Sequence, residues 1–162
     1  MGAQAMAAAD VAQPVAIVEQ TKWFPEVPNA YAVIQNAVRD ANQSGRFAVI
    51  VFGADWCHDS RALARALTSP EFVKRFGPSF AVTFIDVGKP QTGKGHNLDV
   101  VSDLGVKDLK STPAMFVISG GGTLLNGTND ALSWRNADSR RPVTIFCWFD
   151  RFLKKHNPSA RD

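Results

Sequence analysis

The chain has 162 residues, of which 45% are hydrophobic and 20% are charged, and its formal net charge is +3. This composition is typical of one globular domain, and the small, scattered surplus of basic residues does not indicate a nucleic-acid partner. Two cysteines are too few for a disulfide-rich scaffold or a cysteine-rich zinc site, and no apolar run reaches the roughly 18 residues of a membrane span.

Residues 1–28 are predicted to form an N-terminal extension, partly disordered, ahead of a domain that we place at residues 29–157. The first 13 residues are rich in alanine, whereas residues 15–24 have the composition of a short strand. Neither this segment nor the two thiols decide between a periplasmic and a cytoplasmic location. Because no feature indicates obligate oligomerisation, we expect a monomer.

Strands alternate with helices along the rest of the chain. Asn29 is a good N-cap for a helix, and the continuous apolar run at residues 47–52 is typical of a strand buried on both faces. Such alternation predicts an α/β domain with a central mixed sheet and helices on both of its faces. The predicted elements are helix 30–43, strand 47–52, helices 57–67 and 70–76, strand 80–87, helix 98–104, strand 114–119, a glycine-turn hairpin into strand 123–125, and helices 130–136 and 142–155.

The candidate nucleophile is Cys57, which lies between the buried strand 47–52 and the first turn of the next helix. Free backbone N–H groups and the positive end of the helix dipole meet at this point and favour a thiolate. A protonated His58 strengthens this effect, and Asp59 opposes it. The alternative is an inert buried cysteine, but the polar neighbours favour an exposed, functional thiol.

The other cysteine, Cys147, is predicted to be a small buried hydrophobic residue, because it stands among Phe146, Trp148 and Phe149 in the last helix. We therefore do not expect it to be a redox partner of Cys57. No metal site is expected either, since adjacent ligands rarely converge on one ion and the sequence has no second cluster of Cys or His.

Two other segments carry candidate binding residues. The glycine- and lysine-rich loop 88–97 follows a strand parallel to strand 47–52, so Lys89, Lys94 and His96 are expected at the same sheet edge as the thiol. There they attract anionic groups, such as the carboxylates of glutathione; the favoured alternative is a flexible, solvated loop. Trp134 and Arg135 form either an exposed partner surface or, as we favour, a helix that packs its tryptophan on the sheet.

Residues 52–61 read Phe-Gly-Ala-Asp-Trp-Cys-His-Asp-Ser-Arg, and Thr112-Pro113 stands about 55 residues beyond the cysteine, ahead of a strand. This pair of motifs resembles the thioredoxin superfamily, and within it bacterial proteins whose site reads Asp-Trp-Cys-x-Asp-Cys-Arg. The resemblance implies a thioredoxin-like fold, an attacking thiol at Cys57 and a substrate platform that includes Trp56 and His58. It also implies that Pro113 is a cis-proline and that the backbone of Thr112 pairs with an extended substrate.

The departure from the family's motif is Ser60, which stands where the second cysteine is expected. Its hydroxyl is able to hydrogen-bond the Cys57 thiolate, but it cannot attack a mixed disulfide. In thioredoxin proper, an acid and a lysine serve the second cysteine, and the corresponding residues here are Val51 and Val82. The loss of the acid and the lysine is therefore consistent with the loss of the second cysteine.

Three interpretations of this departure remain. The one we favour is a monothiol (Cys-x-x-Ser) oxidoreductase or disulfide isomerase that uses protein thiols or glutathione and needs no bound cofactor. The second is a cysteine-to-serine variant of a dithiol oxidoreductase. The third is a non-catalytic binding module that keeps the groove beside Pro113.

Overall fold

The computed structural model of the chain describes residues 22–156. The helices among these residues lack the length and hydrophobicity that a membrane span requires. The elements are α1 (Ala30–Gln43), β1 (Phe47–Gly53), α2 (His58–Leu67), α3 (Pro70–Phe76), β2 (Phe80–Asp86), β3 (Gly88–Lys89), β4 (Lys94–Gly95), α4 (Leu98–Asp103), β5 (Ala114–Ile118), α5 (Thr128–Leu132) and α6 (Pro142–Lys155), with 3-10 helices at Pro90–Thr92 and Ser133–Ser139.

The central sheet has the strand order β2-β1-β5, with β1 parallel to β2 and antiparallel to β5. Alternate residues of β1 therefore enter two different cores. Val49 and Val51 face the core formed with α2, α3 and α6, whereas Ile50 and Phe52 face the core formed with α1 and α4. The predicted mixed sheet with helices on both faces is confirmed.

The predicted glycine turn is confirmed, since the N–H of Gly122 donates to the carbonyl of Ser119 and the N–H of Ser119 to the carbonyl of Thr123, both at 2.8 Å. The predicted strand 123–125 is wrong, because Leu124 forms only an isolated bridge with Ile118. The side chain of Asn126 takes the place of a longer backbone ladder along β5. Its amide oxygen accepts the N–H of Val117 at 2.8 Å, and its amide nitrogen donates to the carbonyl of Met115 at 2.9 Å. The antiparallel edge of the sheet is therefore β5 itself.

The predicted strand 15–24 is not seen in the part that the structure describes. Residues 15–21 lie outside the described residues, and Lys22–Phe24 is irregular. The N–H groups of Trp23 and Phe24 donate to the carboxylate of Asp55, at 2.9 Å and 3.3 Å respectively, instead of to a neighbouring strand. Phe24 is buried and packs edge-on against Phe84, so this end of the predicted extension is part of the packed structure.

The predicted helix 130–136 is observed as the end of α5 followed by the 3-10 helix Ser133–Ser139. A non-helical backbone at Asn136 interrupts the second part. Trp134 is fully buried in the core beside α6, whereas Arg135 is exposed. The preferred interpretation, that the tryptophan packs inward, is confirmed, and the arginine is left at the surface.

Tyr31 of α1 contacts α4, the other helix on the same face of the sheet, and this contact provides a test of how the two helices pack. Its hydroxyl donates to the carboxylate of Asp103 in α4, and this hydrogen bond, with slight desolvation and the negative charge of Asp103 and Asp99, raises the pKa of Tyr31 to about 12. Because the pKa is raised, the contribution of this bond to stability is fully present below the unfolded value of roughly 10 and is lost as the pH rises through the folded value.

We therefore expect the absorbance of tyrosinate at 295 nm to rise with a midpoint near pH 12 in the folded protein. Tyr31 is the only tyrosine of the chain, so the titration reports on this one hydroxyl. Asp103→Asn is expected to move the midpoint towards pH ~10. A midpoint near ~10 in the unmodified, folded protein contradicts the contact between α1 and α4.

Candidate active site

Cys57 lies at the start of α2, where it is the N-cap residue with an extended backbone. Its Sγ donates to the backbone carbonyl of Thr112 at 3.6 Å. The structure therefore brings together the two sequence motifs, which are far apart in the chain. The expectation of an exposed thiol is wrong, since Cys57 is only 8% exposed. The loop before β5 packs onto the sulfur, and local polarity in the sequence does not reveal such a contact.

The peptide bond between Thr112 and Pro113 is cis, as the resemblance implied. Both residues are buried at the start of β5. The hydroxyl of Thr112 is buried and has no hydrogen-bond partner within residues 22–156. The loop that covers the thiol therefore has an unused polar group in addition to the carbonyl that contacts Cys57.

Ser60 is fully buried in the first turn of α2. Its Oγ accepts the backbone N–H of Ala54 at 3.3 Å, and among the described residues it forms no hydrogen bond with Cys57. That Ser60 stabilises the thiolate therefore stays a prediction. Val51, which the resemblance places where thioredoxin proper has its acid, is also fully buried.

Gly53 provides the room in which Ser60 and Phe24 meet at the end of β1. A Cβ at position 53 would lie 2.7 Å from both Ser60 Oγ and Phe24 Cε1. We expect Gly53→Ala to destabilise the protein by about 1–3 kcal/mol, because added volume in a packed core is poorly tolerated. Chemical denaturation measures the change in unfolding free energy.

Gly127→Ala is the matched control for this substitution. A Cβ at position 127 meets no atom within 4 Å, and the backbone φ of Gly127 is −82°, which any residue adopts. Equal unfolding free energies for Gly53→Ala and Gly127→Ala would show that Phe24 and Ser60 are not tightly packed against Gly53.

Trp56 precedes the thiol and is 44% exposed. Its indole Nε1–H donates to the carbonyl of Gly88 at 2.8 Å. Residue 88 begins the short hairpin of β3 and β4, in which Lys89 pairs with Lys94. The segment predicted as a flexible loop is therefore a hairpin that touches the residue next to Cys57, with both lysines exposed.

His96 follows this hairpin and packs against its base, which is the segment at residues 86–88 where the hairpin starts. A Cβ on Gly88 would lie 2.6 Å from Cδ2 of His96. The same base includes Asp86, whose carboxylate accepts the N–H of Gly88 at 3.1 Å. Burial raises the pKa of Asp86, and this hydrogen bond and His96 act in the opposite direction. Asp86 thus anchors the N–H of Gly88, the residue whose carbonyl accepts the indole N–H of Trp56, a role that the sequence did not indicate.

The side chain of His58 is 69% exposed, and its Nδ1 lies 3.3 Å from Oδ2 of Asp138 and 3.8 Å from Oδ1 of Asp59. Oδ1 of Asp59 also accepts the backbone N–H of Asp138 at 2.9 Å. The 3-10 helix Ser133–Ser139 is thereby attached to the start of α2. Sequence reasoning missed Asp138, since no local signal connects it with residues so far away in the chain.

Cys147 is exposed, so its predicted burial is wrong. Ile145 and Phe149 of α6 are buried, and a residue two positions after Ile145 points to the opposite side of a helix with 3.6 residues per turn. Neighbouring aromatic residues in the sequence therefore do not indicate burial here. Within the part of the chain that the structure describes, no group of three His, Cys, Asp or Glu side chains is arranged to hold a metal ion.

Comparisons with known proteins agree with this architecture. A family model described as thioredoxin-like matches residues 29–119, which is more than half of the chain. Among solved structures, the disulphide isomerase from Xylella fastidiosa Temecula1 is similar, with a TM-score of 0.69 and 23% identity over 82% of this chain and 98% of that chain. No curated protein matches. The structural likeness confirms the predicted thioredoxin-like fold.

Proposed function

The chain belongs to the thioredoxin-like family, and from this premise we propose that it is a thiol–disulfide oxidoreductase or disulfide isomerase of the monothiol type. Cys57 is the nucleophile, and its substrates are protein disulfides or glutathione disulfide. The observation that carries this proposal is the contact of Cys57 Sγ with the carbonyl of Thr112 at 3.6 Å, beside the cis-proline Pro113. A nucleophile and a strand-like backbone for an extended substrate thereby meet at one point.

The first step is attack of the Cys57 thiolate on one sulfur of a disulfide. A new bond joins Cys57 to that sulfur, the original sulfur–sulfur bond breaks, and the second sulfur leaves as a thiolate that takes a proton from solvent. Trp56 and His58 flank the thiol and contact the substrate, while Ser60 stabilises the Cys57 thiolate.

The second step decides between isomerisation and reduction. Ser60 cannot attack the mixed disulfide, so Cys57 is released by a thiolate from elsewhere. If that thiolate belongs to the substrate, the disulfide is rearranged and no net oxidation or reduction occurs. If it belongs to glutathione, Cys57 is released and a mixed disulfide between glutathione and the substrate forms; a second glutathione thiolate then attacks the glutathione sulfur, which yields glutathione disulfide and the reduced substrate thiol.

The low exposure of Cys57 favours one other candidate function, a binding module. In that case the groove beside Pro113 binds an extended peptide, and Cys57 acts only as a small packing residue. The two candidates differ in what Cys57→Ala does: a binding module keeps its partner, whereas a thiol enzyme no longer forms mixed disulfides.

The test is recovery of activity by a small enzyme with scrambled disulfides, measured with and without reduced glutathione. Isomerisation predicts that catalytic amounts of the protein accelerate recovery in both conditions, and oxidoreductase activity predicts acceleration only with glutathione. No acceleration in either condition, together with substrate binding that survives Cys57→Ala, would exclude the thiol chemistry in favour of the binding module.

A further inference from the structure

Arg135 lies on the 3-10 helix Ser133–Ser139, which contacts both parts of the candidate site. At one end of this helix, Asp138 is attached to the start of α2 through His58 and Asp59. At the other end, Nη1 of Arg135 donates to Oγ of Ser111 at 3.2 Å. Ser111 directly precedes Thr112, whose carbonyl contacts Cys57. Arg135 therefore contacts the loop whose next residue, Thr112, covers the thiol.

The guanidinium group of Arg135 is held in position by neutral groups only. Its Nε donates to the carbonyl of Leu132 at 2.9 Å, and Nη1 donates to the hydroxyl of Ser111. Both partners are uncharged oxygen atoms. An arginine carries five N–H donors, so these two hydrogen bonds leave three donors for a further partner. Arg135 is also exposed and therefore open to a ligand.

Nearby acidic groups are engaged elsewhere. Asp138 pairs with His58 at 3.3 Å, and Asp59 accepts the N–H of Asp138 at 2.9 Å. Lys110, the other cation beside this loop, lies 3.1 Å from Asp108. No carboxylate of residues 22–156 lies within 4 Å of the guanidinium of Arg135. Arg135 is thus an oriented cation beside this loop without an acidic partner in the described chain.

We propose that Arg135 is a specificity-determining residue that binds a carboxylate of the disulfide substrate. This inference rests on the proposed function, and it adds the class of substrate: disulfides that carry a carboxylate near the reacting cysteine. A planar guanidinium fork binds a carboxylate with two parallel hydrogen bonds, and arginine suits such sites better than lysine. An extended substrate advances about 3.3 Å per residue, and the test peptide below places its acidic group two residues from the cysteine.

The experiment measures how fast two matched pairs of disulfides form a mixed disulfide with Cys57 under excess substrate. One pair is glutathione disulfide and its ester with the glycine carboxylates blocked. The other pair is a disulfide-linked peptide with Glu two residues from the cysteine and the same peptide with Gln. The unmodified protein, Arg135→Gln and Arg135→Lys are compared at one ionic strength, after circular dichroism has shown that all three are folded.

The unmodified protein is expected to react roughly fivefold faster with the carboxylate form of at least one pair, the scale of one exposed charge-assisted contact. Arg135→Gln should lose this preference and keep its rate with the neutral form, while Arg135→Lys should keep only part of the preference because the fork is lost. A preference confined to the glutathione pair indicates a small thiol as the source of the carboxylate. A preference confined to the peptide pair indicates a protein substrate.

Arg39→Gln is the matched control, because it removes the same charge from α1, on the opposite face of the sheet. Equal carboxylate preferences in the unmodified protein and Arg135→Gln, or equal losses in Arg135→Gln and Arg39→Gln, overturn the role of Arg135 and leave the proposed function standing. If Cys57 reacts with none of the four disulfides, the proposed function is overturned, and the role of Arg135 is overturned with it.

Discussion

Ser60→Cys is expected to release mixed disulfides from Cys57 about 100-fold faster than the unmodified protein does at low concentrations of external thiol. A thiol at position 60 lies three residues after Cys57 in the first turn of α2, so it faces the same side of the helix. Attack from this position is intramolecular, and neighbouring groups in good geometry have a very high effective concentration. The thiolate at position 60 attacks the sulfur of Cys57, so a disulfide between positions 57 and 60 forms and the substrate leaves as a thiolate that takes a proton from solvent.

Cysteine differs from serine only in the atom at the γ position, so this substitution adds little volume at a buried site. Ser60 is fully buried beside Gly53, and a cysteine in such a place behaves as a small hydrophobic residue. The lifetime of the mixed disulfide is measured by quenching with acid and intact-mass analysis. Ser102→Cys, on α4 at the opposite face of the sheet, is the control and should leave the lifetime unchanged. An unchanged lifetime in Ser60→Cys would mean that Ser60 does not occupy the place of a resolving cysteine.

Cys57→Ala is expected to abolish rearrangement of scrambled disulfides, with a loss of at least ~1,000-fold if the thiol is the nucleophile. Cys147→Ala is the matched control, since it removes the only other thiol of the chain from an exposed position on α6. The initial rate of activity recovery by the scrambled enzyme measures both effects. If Cys147→Ala lost the activity and Cys57→Ala kept it, the assignment of the nucleophile would be reversed.

The elements that position the thiol were predictable from local patterns. The apolar run of β1 indicated a strand buried on both faces, and Asn29 is an N-cap in the structure as its side chain suggests. The motif around Cys57 and the dipeptide at Thr112 carry the resemblance to the thioredoxin superfamily, and that resemblance implied that both lie at one site. Each of these signals is carried by residues adjacent in the sequence, which is why it could be read without a structure.

The contacts between distant segments were not predictable in this way. The burial of Cys57 results from the loop at Thr112, and the anchoring of His58 results from Asp138 on another element. The orientation of Trp56 depends on the carbonyl of Gly88, a backbone group with no signature in the sequence. These features follow from tertiary packing, because the partners meet only after the sheet and helices have assembled.

The most direct test of the central claim is the intact mass of the protein after exposure to glutathione disulfide, followed by peptide mapping of the adduct. The account predicts one glutathionyl group on Cys57, formed faster than any adduct on Cys147 although Cys147 is the more exposed thiol. Addition of reduced glutathione should return the protein to its free thiol. An adduct confined to Cys147, or no adduct on Cys57 in the folded protein, would contradict the assignment of Cys57 as the reactive thiol.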